Sequence, residues 1–395
     1  IKAVTLPQFL HLISTIMKLW KIFAAMCCTA ALLTGCSSES EDNGGGGGNT
    51  PIDRPTVATG MNTVALHGEV LDSHGQPIAG VTVESGTAQA TTDKNGTFIL
   101  TEVNTVNSRS VVKFTKSGYH EIVRAFTFQK SDNWNVVMVA DNSGKHHTAT
   151  YSSSQATTLS ASGMKAEMPA DGYVVASTGK AYTGTVVTDM LYISPEDADF
   201  AETMPGGDLA AQRTDGSDAQ LVSYGMTRVN ITDANGNKLQ LKPGSEAKLS
   251  FPIPAGMEMH PTIPLWSFDE STGLWKEEGE ATLVGDHYEG TVKHFSWVNL
   301  DWPSTRATLI VQVKDESGAP VPGMNITVGQ LSRTTDAKGV INTYVPSDEA
   351  FKVKANLAYY GGSGVREVDV HALSAGEERT VTLTLPKIYH VKGTI

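Results

Sequence analysis

The sequence predicts an all-β protein built of tandem β-sandwich modules, in which two related sandwiches flank a central β domain. Its 38 glycines come with recurrent Thr and Val, and blocks rich in Leu, Ala, Glu and Lys are missing after residue 40. Short runs of alternating polarity are separated by turn signals. One stretch from the first third of the chain also recurs in the last third. We therefore expect strands joined by tight turns rather than helices.

Length and charge limit the classes of function. A chain of 395 residues is long enough for about three domains, and 40% apolar residues are enough to fill their cores. The formal charge is −12, and residues 1–35 hold three lysines and no acid, so the remainder carries −15. An acidic surface repels phosphate backbones and anionic headgroups. The composition thus argues against nucleic acid as a partner and against direct lipid binding.

The N-terminus predicts export. Residues 17–21 contain two lysines, and residues 22–33 give twelve positions without a charge. Twelve helical residues span roughly 18 Å, which is too short for a hydrocarbon core of about 30 Å. A short positive region followed by such a run is typical of a secretory signal. We expect Met17 to be the true start of the protein.

The residues that follow, Leu33-Thr34-Gly35-Cys36, resemble the lipobox of bacterial lipoproteins. The resemblance implies cleavage between Gly35 and Cys36 and acylation of Cys36, which would anchor the protein to the membrane through acyl chains. An uncleaved anchor and an ordinary cleaved signal are the alternatives. The other cysteines are Cys27 and Cys28, so the chain after Cys36 cannot form a disulfide or a thiolate metal site.

A tether is predicted over residues 36–59. Residues 44–48 are five consecutive glycines, which are costly to order, and residues 37–58 would reach roughly 26 Å as a flexible chain. The acidic residues Glu39, Glu41 and Asp42 resemble the surface-export signal of one group of Gram-negative lipoproteins. The alternative is a solvated acidic linker. We expect a lipid-anchored protein of the outer membrane that faces the cell exterior.

An internal repeat defines two of the modules. Residues 70–96 align without a gap on residues 313–339, with ten identities in 27 positions where composition alone gives about two. Nine of the identities are Asp, Gly, Pro or Thr, and the tenth is a valine, Val70 in the first copy and Val313 in the second. Asp-x-x-Gly segments at 72–75, 93–96, 315–318 and 336–339 are predicted turns, because Asp bonds the backbone ahead of it and Gly supplies a positive φ.

The repeat resembles the carboxypeptidase regulatory-like domain, whose fold is a transthyretin-like sandwich of about seven strands. The first copy carries the resemblance in Gly75–Val81, Thr92–Phe98 and Lys116–Tyr119, and the second departs from it at Val311 and Ile341. The catalytic domain of such carboxypeptidases uses a His-x-x-Glu zinc pair, and none of the eleven histidines has Glu three positions later. The resemblance therefore concerns the accessory module alone, and no enzyme activity is expected.

The chain is expected to begin with a signal peptide (residues 17–35) and a tether (36–59). A first carboxypeptidase regulatory-like domain (60–140), a central β-sandwich domain (141–303) and a second carboxypeptidase regulatory-like domain (304–386) follow. Residues 387–395 are expected to start a third repeat.

The central segment lacks the repeat but has strand-like runs between turns, which suggests another sandwich or a barrel. It distantly resembles cartilage intermediate layer proteins. Four of the six tryptophans fall within 37 residues: Trp266, Trp275, Trp297 and Trp302. We expect this group to fill a core, with an aromatic platform for sugars as the alternative. Trp275, which lies beside Lys276, is the candidate ligand-binding residue.

Other motifs give weak signals for chemistry. His146-His147 is expected in an exposed linker, and adjacent strand residues would point to opposite faces. Asp93–Gly96 begins like a calcium loop but lacks the later Glu, and Met204–Asp208 is expected to be a plain loop. We predict no catalytic residue, metal site or cofactor.

The expected function is therefore a non-catalytic, lipid-anchored surface binding or adhesion protein with a glycan or protein ligand. The alternative is an accessory glycan-capture or structural subunit of an outer-membrane assembly.

Palmitate labelling tests the predicted anchor. Labelled palmitate should appear in the wild-type chain and in the control Cys28→Ser, and should be absent from Cys36→Ser, because only the lipobox cysteine is acylated. Label retained by Cys36→Ser, or an unlabelled wild type, would rule the anchor out.

Overall fold

The computed structural model describes residues 62–105, 109–127, 133–141, 144–357 and 362–387. These residues form 27 strands and one four-residue helix, so the predicted all-β class of tandem sandwich modules is confirmed. No helix in the described ranges has the length and apolar character needed to cross a membrane. The signal segment, the Gly35-Cys36 cleavage site, the tether and residues 388–395 lie outside the described residues.

Seven strands form the N-terminal sandwich. They are β1 (Asn62–Asp72), β2 (Thr82–Ser85), β3 (Ala88–Thr91), β4 (Thr97–Thr105), β5 (Arg109–Thr115), β6 (Ile122–Thr127) and β7 (Asn133–Met138). A three-stranded sheet in the order β4-β1-β7 packs against a four-stranded sheet in the order β3-β2-β5-β6. Strand β1 runs antiparallel to β4 and parallel to β7. Alternating residues such as Leu66, Val83 and Phe114 fill the space between the sheets.

Seven further strands form the C-terminal sandwich with the same connections. After the thirteen central strands described below they are β21 (Arg306–Asp315), β22 (Asn325–Val328), β23 (Leu331–Thr334), β24 (Val340–Pro346), β25 (Phe351–Asn356), β26 (Val365–Val370) and β27 (Glu378–Leu385). Their sheets run β24-β21-β27 and β23-β22-β25-β26. Strands β22, β23 and β26 lie 243 positions after β2, β3 and β6, so the sequence repeat extends beyond its identical residues.

The repeated aspartates build the turns that the sequence predicts. The Asp72 carboxylate accepts hydrogen bonds of 2.8 Å from the backbone N–H groups two and four residues later. Asp93, Asp315 and Asp336 accept the equivalent pairs at 2.8–2.9 Å. Each carboxylate satisfies two backbone donors of its own turn, so these turns fix where the strands begin and end.

A repeated threonine ties the connection between the first and second strands of each sandwich to the end of the third strand. The buried Thr92 hydroxyl accepts a hydrogen bond from the Val81 N–H at 2.8 Å and donates one to the Ile78 carbonyl at 2.7 Å. Thr335 makes the same two bonds, both at 2.8 Å, at the equivalent positions. This accounts for an identity that turn chemistry alone does not explain.

The central segment forms thirteen strands. They are β8 (His146–Ser152), β9 (Thr157–Ala161), β10 (Met164–Met168), β11 (Tyr173–Val175), β12 (Thr185–Ile193), β13 (Ala210–Gln212), β14 (Asp218–Asp233), β15 (Leu239–Leu241), β16 (Ala247–Pro252), β17 (Thr262–Asp269), β18 (Leu274–Val284), β19 (His287–Val292) and β20 (Trp297–Ser304). The helix α1 (Phe200–Thr203) lies between β12 and β13.

Eleven of these strands share one sheet, in the order β8-β12-β14-β20-β17-β18-β19-β16-β10-β9, with β13 paired to β14 and β18. Strands β11 and β15 form a separate pair. Residues from both ends of the large sheet, such as Leu159 and Met190, share one hydrophobic cluster with Leu265, so the sheet curls around its own core. The longest of these strands is β14, with 16 residues.

A pair of glycine substitutions tests why the turn glycines recur. Gly96 has φ +75°, and a Cβ there would lie 2.5 Å from the Val70 carbonyl oxygen, whereas Gly86 has φ +58° and open space around it. Gly86→Ala should therefore lower the free energy of unfolding by about 1 kcal/mol, which is the conformational cost alone. Gly96→Ala should lower it by about 2–4 kcal/mol, because the backbone must also move. Equal losses in urea titrations would show that the close approach is unimportant.

Candidate functional site

The N-terminal sandwich, the central sheet and the C-terminal sandwich all contact one loop. Residues 194–209, here called the junction loop, connect β12 to β13 and contain α1. The loop is buried from Asp199 to Gly207, although its sequence, with Pro205, Gly206 and Gly207, predicts an ordinary surface loop. A loop can be buried at little cost only where its polar groups find partners. Here arginines from both sandwiches supply them.

Arg109 of the N-terminal sandwich forms a two-pronged ion pair with Asp208. One guanidinium nitrogen contacts Oδ2, and the second donates to Oδ1 at 3.1 Å and also to the Gly273 carbonyl. Burial by itself would raise the pKa of Asp208. The charges of Arg109 and Arg333 and the hydrogen bonds from Arg109 outweigh it, so that this pKa lies below the ordinary value of 3.8. The carboxylate is therefore ionised at neutral pH, and the pair is geometrically specific.

Arg124, also of the N-terminal sandwich, is almost completely buried at 1% exposure. It donates to the Glu202 carbonyl of α1, and its Nε forms no hydrogen bond within the described residues. Burial lowers the pKa of Arg124 to about 10, and the nearby Glu202 carboxyl opposes that shift. The guanidinium thus keeps its charge at neutral pH. Burial raises the pKa of Glu202, so that carboxyl is a weak counter-charge.

Arg333 of the C-terminal sandwich reaches the same loop from the other side. It donates to the Gly207 carbonyl at 2.8 Å and to the Thr343 hydroxyl at 2.9 Å. Gly207 has φ +67°, and a Cβ there would lie 2.7 Å from Arg124. Glycine is thus required between the two arginines. Both sandwiches are bound to consecutive residues of the central segment.

A cleft of about 450 Å³ opens beside these contacts. Four arginines line it, namely Arg109, Arg124, Arg306 and Arg333, together with Asp208 and Tyr344. The Arg306 guanidinium lies 5.3 Å from the centre of the Tyr344 ring and donates to the Ala219 carbonyl at 3.3 Å. The inner part of the cleft therefore has an excess of positive charge in a chain whose net charge is −12.

Acids also lie along the cleft. The side chains of Asp336 and Glu378 are exposed at its rim, and the Asp336 carboxylate is occupied by two backbone N–H groups of its turn. Because these acids lie toward solvent, water and salt screen them more than the buried arginines. A planar anion such as a carboxylate would be attracted to the inner part, where guanidinium groups present paired donors.

The structure corrects the prediction for Trp275. Its side chain has 0% exposure and packs edge-on against Phe268, with ring centres 5.2 Å apart. A sugar cannot stack on a ring that solvent does not reach, so Trp275 is a core residue because β18 turns it inward. Trp266 and Trp297 are buried as well. Trp302 is half-buried and stacks on His260 with ring centres 3.7 Å apart.

The predicted placement of His146 and His147 is also wrong. They are the first two residues of strand β8 and not part of an exposed linker, because they pair with Leu191 and Met190 of β12. The side chain of His146 is 9% exposed and lies at the seam with the N-terminal sandwich, with its ring centre 4.4 Å from that of His120. Cys36, the predicted lipid attachment site, lies outside the described residues and stays a prediction.

The sequence did not single out the arginines of the junction. The repeat offers one indication of their role, because none of the three arginines is shared by the two copies. The other copy has Lys352 in place of Arg109, Glu367 in place of Arg124, and Ala90 in place of Arg333. The two sandwiches share turns and core but differ where they touch the junction loop. Positions that break a repeat are candidates for contacts made by one copy alone.

Comparisons with known proteins give short matches. No family model matches the chain. Human cartilage intermediate layer protein 2 is 36% identical over 101 residues, which is 25% of this chain and 9% of that protein. Pig cartilage intermediate layer protein 1 is 32% identical over 103 residues, or 26% of this chain and 17% of that protein. The chain thus spans less than a fifth of the length of these curated relatives.

Three solved structures superpose only loosely. The Bacillus anthracis TIE protein gives a TM-score of 0.18 at 11% identity, over 82% of this chain and 50% of that chain. The major pilin subunit BcpA of Bacillus cereus gives 0.16 at 12% identity, over 82% and 99%. The pilus adhesin SpaC of Lactobacillus rhamnosus GG gives 0.16 at 13% identity, over 82% and 42%. TM-scores this low define no common arrangement of domains.

Asp208→Asn tests the ion pair. The amide keeps the shape but removes the charge that balances the buried Arg109, so the free energy of unfolding should fall by about 3 kcal/mol. Glu280→Gln, on the exposed face of β18, is the control and should change it by less than about 0.5 kcal/mol.

The same variant should show a pH dependence of known sign. Because the pKa of Asp208 is lower in the folded chain, its contribution is complete above the ordinary value of 3.8 and is lost as the pH falls through the folded value. The stability gap between wild type and Asp208→Asn should therefore close in acid. A gap that is unchanged there would contradict the ion pair.

Proposed function

We propose that the chain is a non-catalytic, lipid-anchored cell-surface binding protein, and that the arginine-lined cleft at the junction binds an acidic sugar. The single observation that carries the proposal is the excess of buried positive charge in a cleft of ligand size. A volume of about 450 Å³ falls in the range typical of small-molecule sites.

The N-terminal sequence supports the location. The lipobox at Leu33–Cys36, the acidic residues after it and the glycine tract together favour a tethered domain on the outer face of the outer membrane. A tether of that kind lets the folded part sample the space around its anchor. A binding protein needs such access to a ligand outside the cell.

The charges in the cleft favour binding over catalysis. A general acid or base works best when its pKa is near the working pH. The pKa of Asp208 lies below its ordinary value, and the pKa of Arg124 is about 10, so both hold their charge at neutral pH. Such groups can attract and orient an anion but are poorly suited to exchange a proton with it.

An acidic sugar fits the chemistry of the cleft better than a neutral one. Guanidinium groups match the two oxygens of a carboxylate, and Tyr344 offers a ring and a hydroxyl beside Arg306. A carboxylate-bearing peptide shares part of this chemistry and is the protein ligand that an adhesion role would imply. The second candidate, an accessory glycan-capture subunit of an outer-membrane assembly, would use the same cleft.

Calorimetric titration with a uronic-acid disaccharide tests the proposal. Arg306→Gln should weaken binding about tenfold or more, since a charge-assisted hydrogen bond contributes about 1.5–3 kcal/mol. Lys314→Gln, which removes a cation from the same strand β21 outside the cleft, should bind like wild type. Lys314→Gln should melt near the wild-type temperature, and Arg306→Gln, which loses a buried hydrogen bond to the Ala219 carbonyl, should melt lower but in one cooperative transition.

The ligand panel separates the candidates. Binding of the uronic acid but not its neutral counterpart supports the cleft as an acidic-sugar site. Binding of acidic peptides alone would favour adhesion to a protein. No binding of either anion, or equal weakening by Arg306→Gln and Lys314→Gln, would contradict the proposal.

A further inference from the structure

A second polar cluster lies at the seam between the N-terminal sandwich and the central sheet, apart from the residues that line the cleft. It contains His120, Asp141 and His146, each of which offers an atom within 4.8 Å of the others. The His120 Nε2 lies 3.7 Å from the Asp141 carboxylate. Ligand atoms around a tetrahedral zinc ion lie about 3.3–3.5 Å apart, given bonds of about 2.0–2.2 Å. Small side-chain movements would thus bring these atoms to coordination distance.

The backbone fixes both halves of the cluster. His120 follows the turn after β5, and its N–H donates to the Val139 carbonyl at 2.9 Å, while the Asp141 N–H donates to Gly118 at 3.0 Å. These two bonds hold His120 beside Asp141 without any ion. His146 opens strand β8, whose partner β12 carries Asp189. The site is therefore largely preformed, as a metal site on rigid elements should be.

Two buried ring nitrogens point to a ligand. The side chain of His120 is 2% exposed, and its Nε2 forms no hydrogen bond within the described residues. The Nδ1 of His146 is buried and has no hydrogen-bond partner there either. A buried polar atom left without a partner costs about 1–3 kcal/mol. A bound cation would satisfy both nitrogens together.

Asp189 is positioned to orient the rings. Its Oδ1 lies 2.7 Å from the His146 Nε2, although the two atoms are not aligned for a hydrogen bond, and its Oδ2 lies 4.0 Å from the His120 Nδ1. A carboxylate on the far nitrogen of a metal-binding histidine fixes its tautomer and strengthens it as a ligand. Asp189 can do this for both rings.

The nearby charges permit a cation. Among the described residues, the one nearby cation that faces the cluster, Arg228, is engaged elsewhere: it pairs with Glu121 at 3.3 Å and donates to Asn230 at 3.1 Å. The side chain of Asp141 is 43% exposed, which gives an ion a route from solvent.

We propose that His120, Asp141 and His146 bind one divalent transition-metal ion, with zinc as the best match, and that the ion clips the N-terminal sandwich to the central sheet. Two imidazoles and one carboxylate suit zinc and related ions better than calcium or magnesium. His120 and Asp141 belong to one side of the seam and His146 to the other, so an ion bound by all three would resist their separation.

Zinc titration of the purified full chain, after treatment with a chelator, tests the proposal. Wild type should bind one zinc ion at this site. Asp141→Asn should bind it about 10–100-fold more weakly, and His146→Gln should bind it at least as weakly. His147→Gln is the matched control and should bind like wild type, because the neighbouring side chain projects from the opposite face of β8. A chelator should lower the melting temperature of wild type and His147→Gln but not of Asp141→Asn.

Cobalt absorption identifies the ligands. Cobalt bound at the seam should show no thiolate-to-metal band, whereas binding to the N-terminal cysteines would show one. Asp141 is partly exposed, so its variant should fold even if His146→Gln does not. Absence of stoichiometric zinc in wild type, a thiolate band as the sole signal, or equal affinity in all variants would overturn the proposal.

Discussion

The structure depends on the ion pair between Arg109 and Asp208. Arg109 is buried at 5% exposure, and Asp208 balances its charge in the interior and accepts two of its hydrogen bonds. Asp208 in turn lies on the junction loop, which Arg124 and Arg333 also bind through backbone carbonyls. Without Asp208, the buried guanidinium of Arg109 would lack its counter-charge at the loop that both sandwiches and the central sheet contact.

The two sandwiches have the same fold but contact different sides of the junction loop. Turn aspartates, the internal threonine and the close glycine recur in both sandwiches, because each solves a local problem of the backbone. The contacts to the junction loop do not recur, because each sandwich meets a different side of it. Residues identical in the two copies thus stabilise the fold of each sandwich. Residues that differ between the copies make the contacts to the junction loop and form the candidate sites.

The sequence predicts the local part of this structure well. Asp-x-x-Gly turns and period-two strands depend on residues a few positions apart, so the pattern indicates them directly. The burial of three of the four tryptophans in the central group follows from their size. The junction and the seam could not be predicted in the same way. Arg109 and Asp208 are 99 residues apart, and Asp208 and Arg333 are 125 residues apart. His120 and His146 are brought together only when β6, β7 and β8 have formed. Trp275 was misplaced because charged neighbours on the same strand suggested an exposed position.

A double-mutant cycle on Arg109 and Asp208 tests the central claim most directly. Free energies of unfolding would be measured for wild type, Arg109→Met, Asp208→Asn and the double variant. We predict a coupling energy above about 2 kcal/mol, and a double variant at least as stable as Arg109→Met and Asp208→Asn alone, as for other buried pairs. A coupling of about 0.2–1 kcal/mol, the range of exposed pairs, would show that the junction does not depend on this contact.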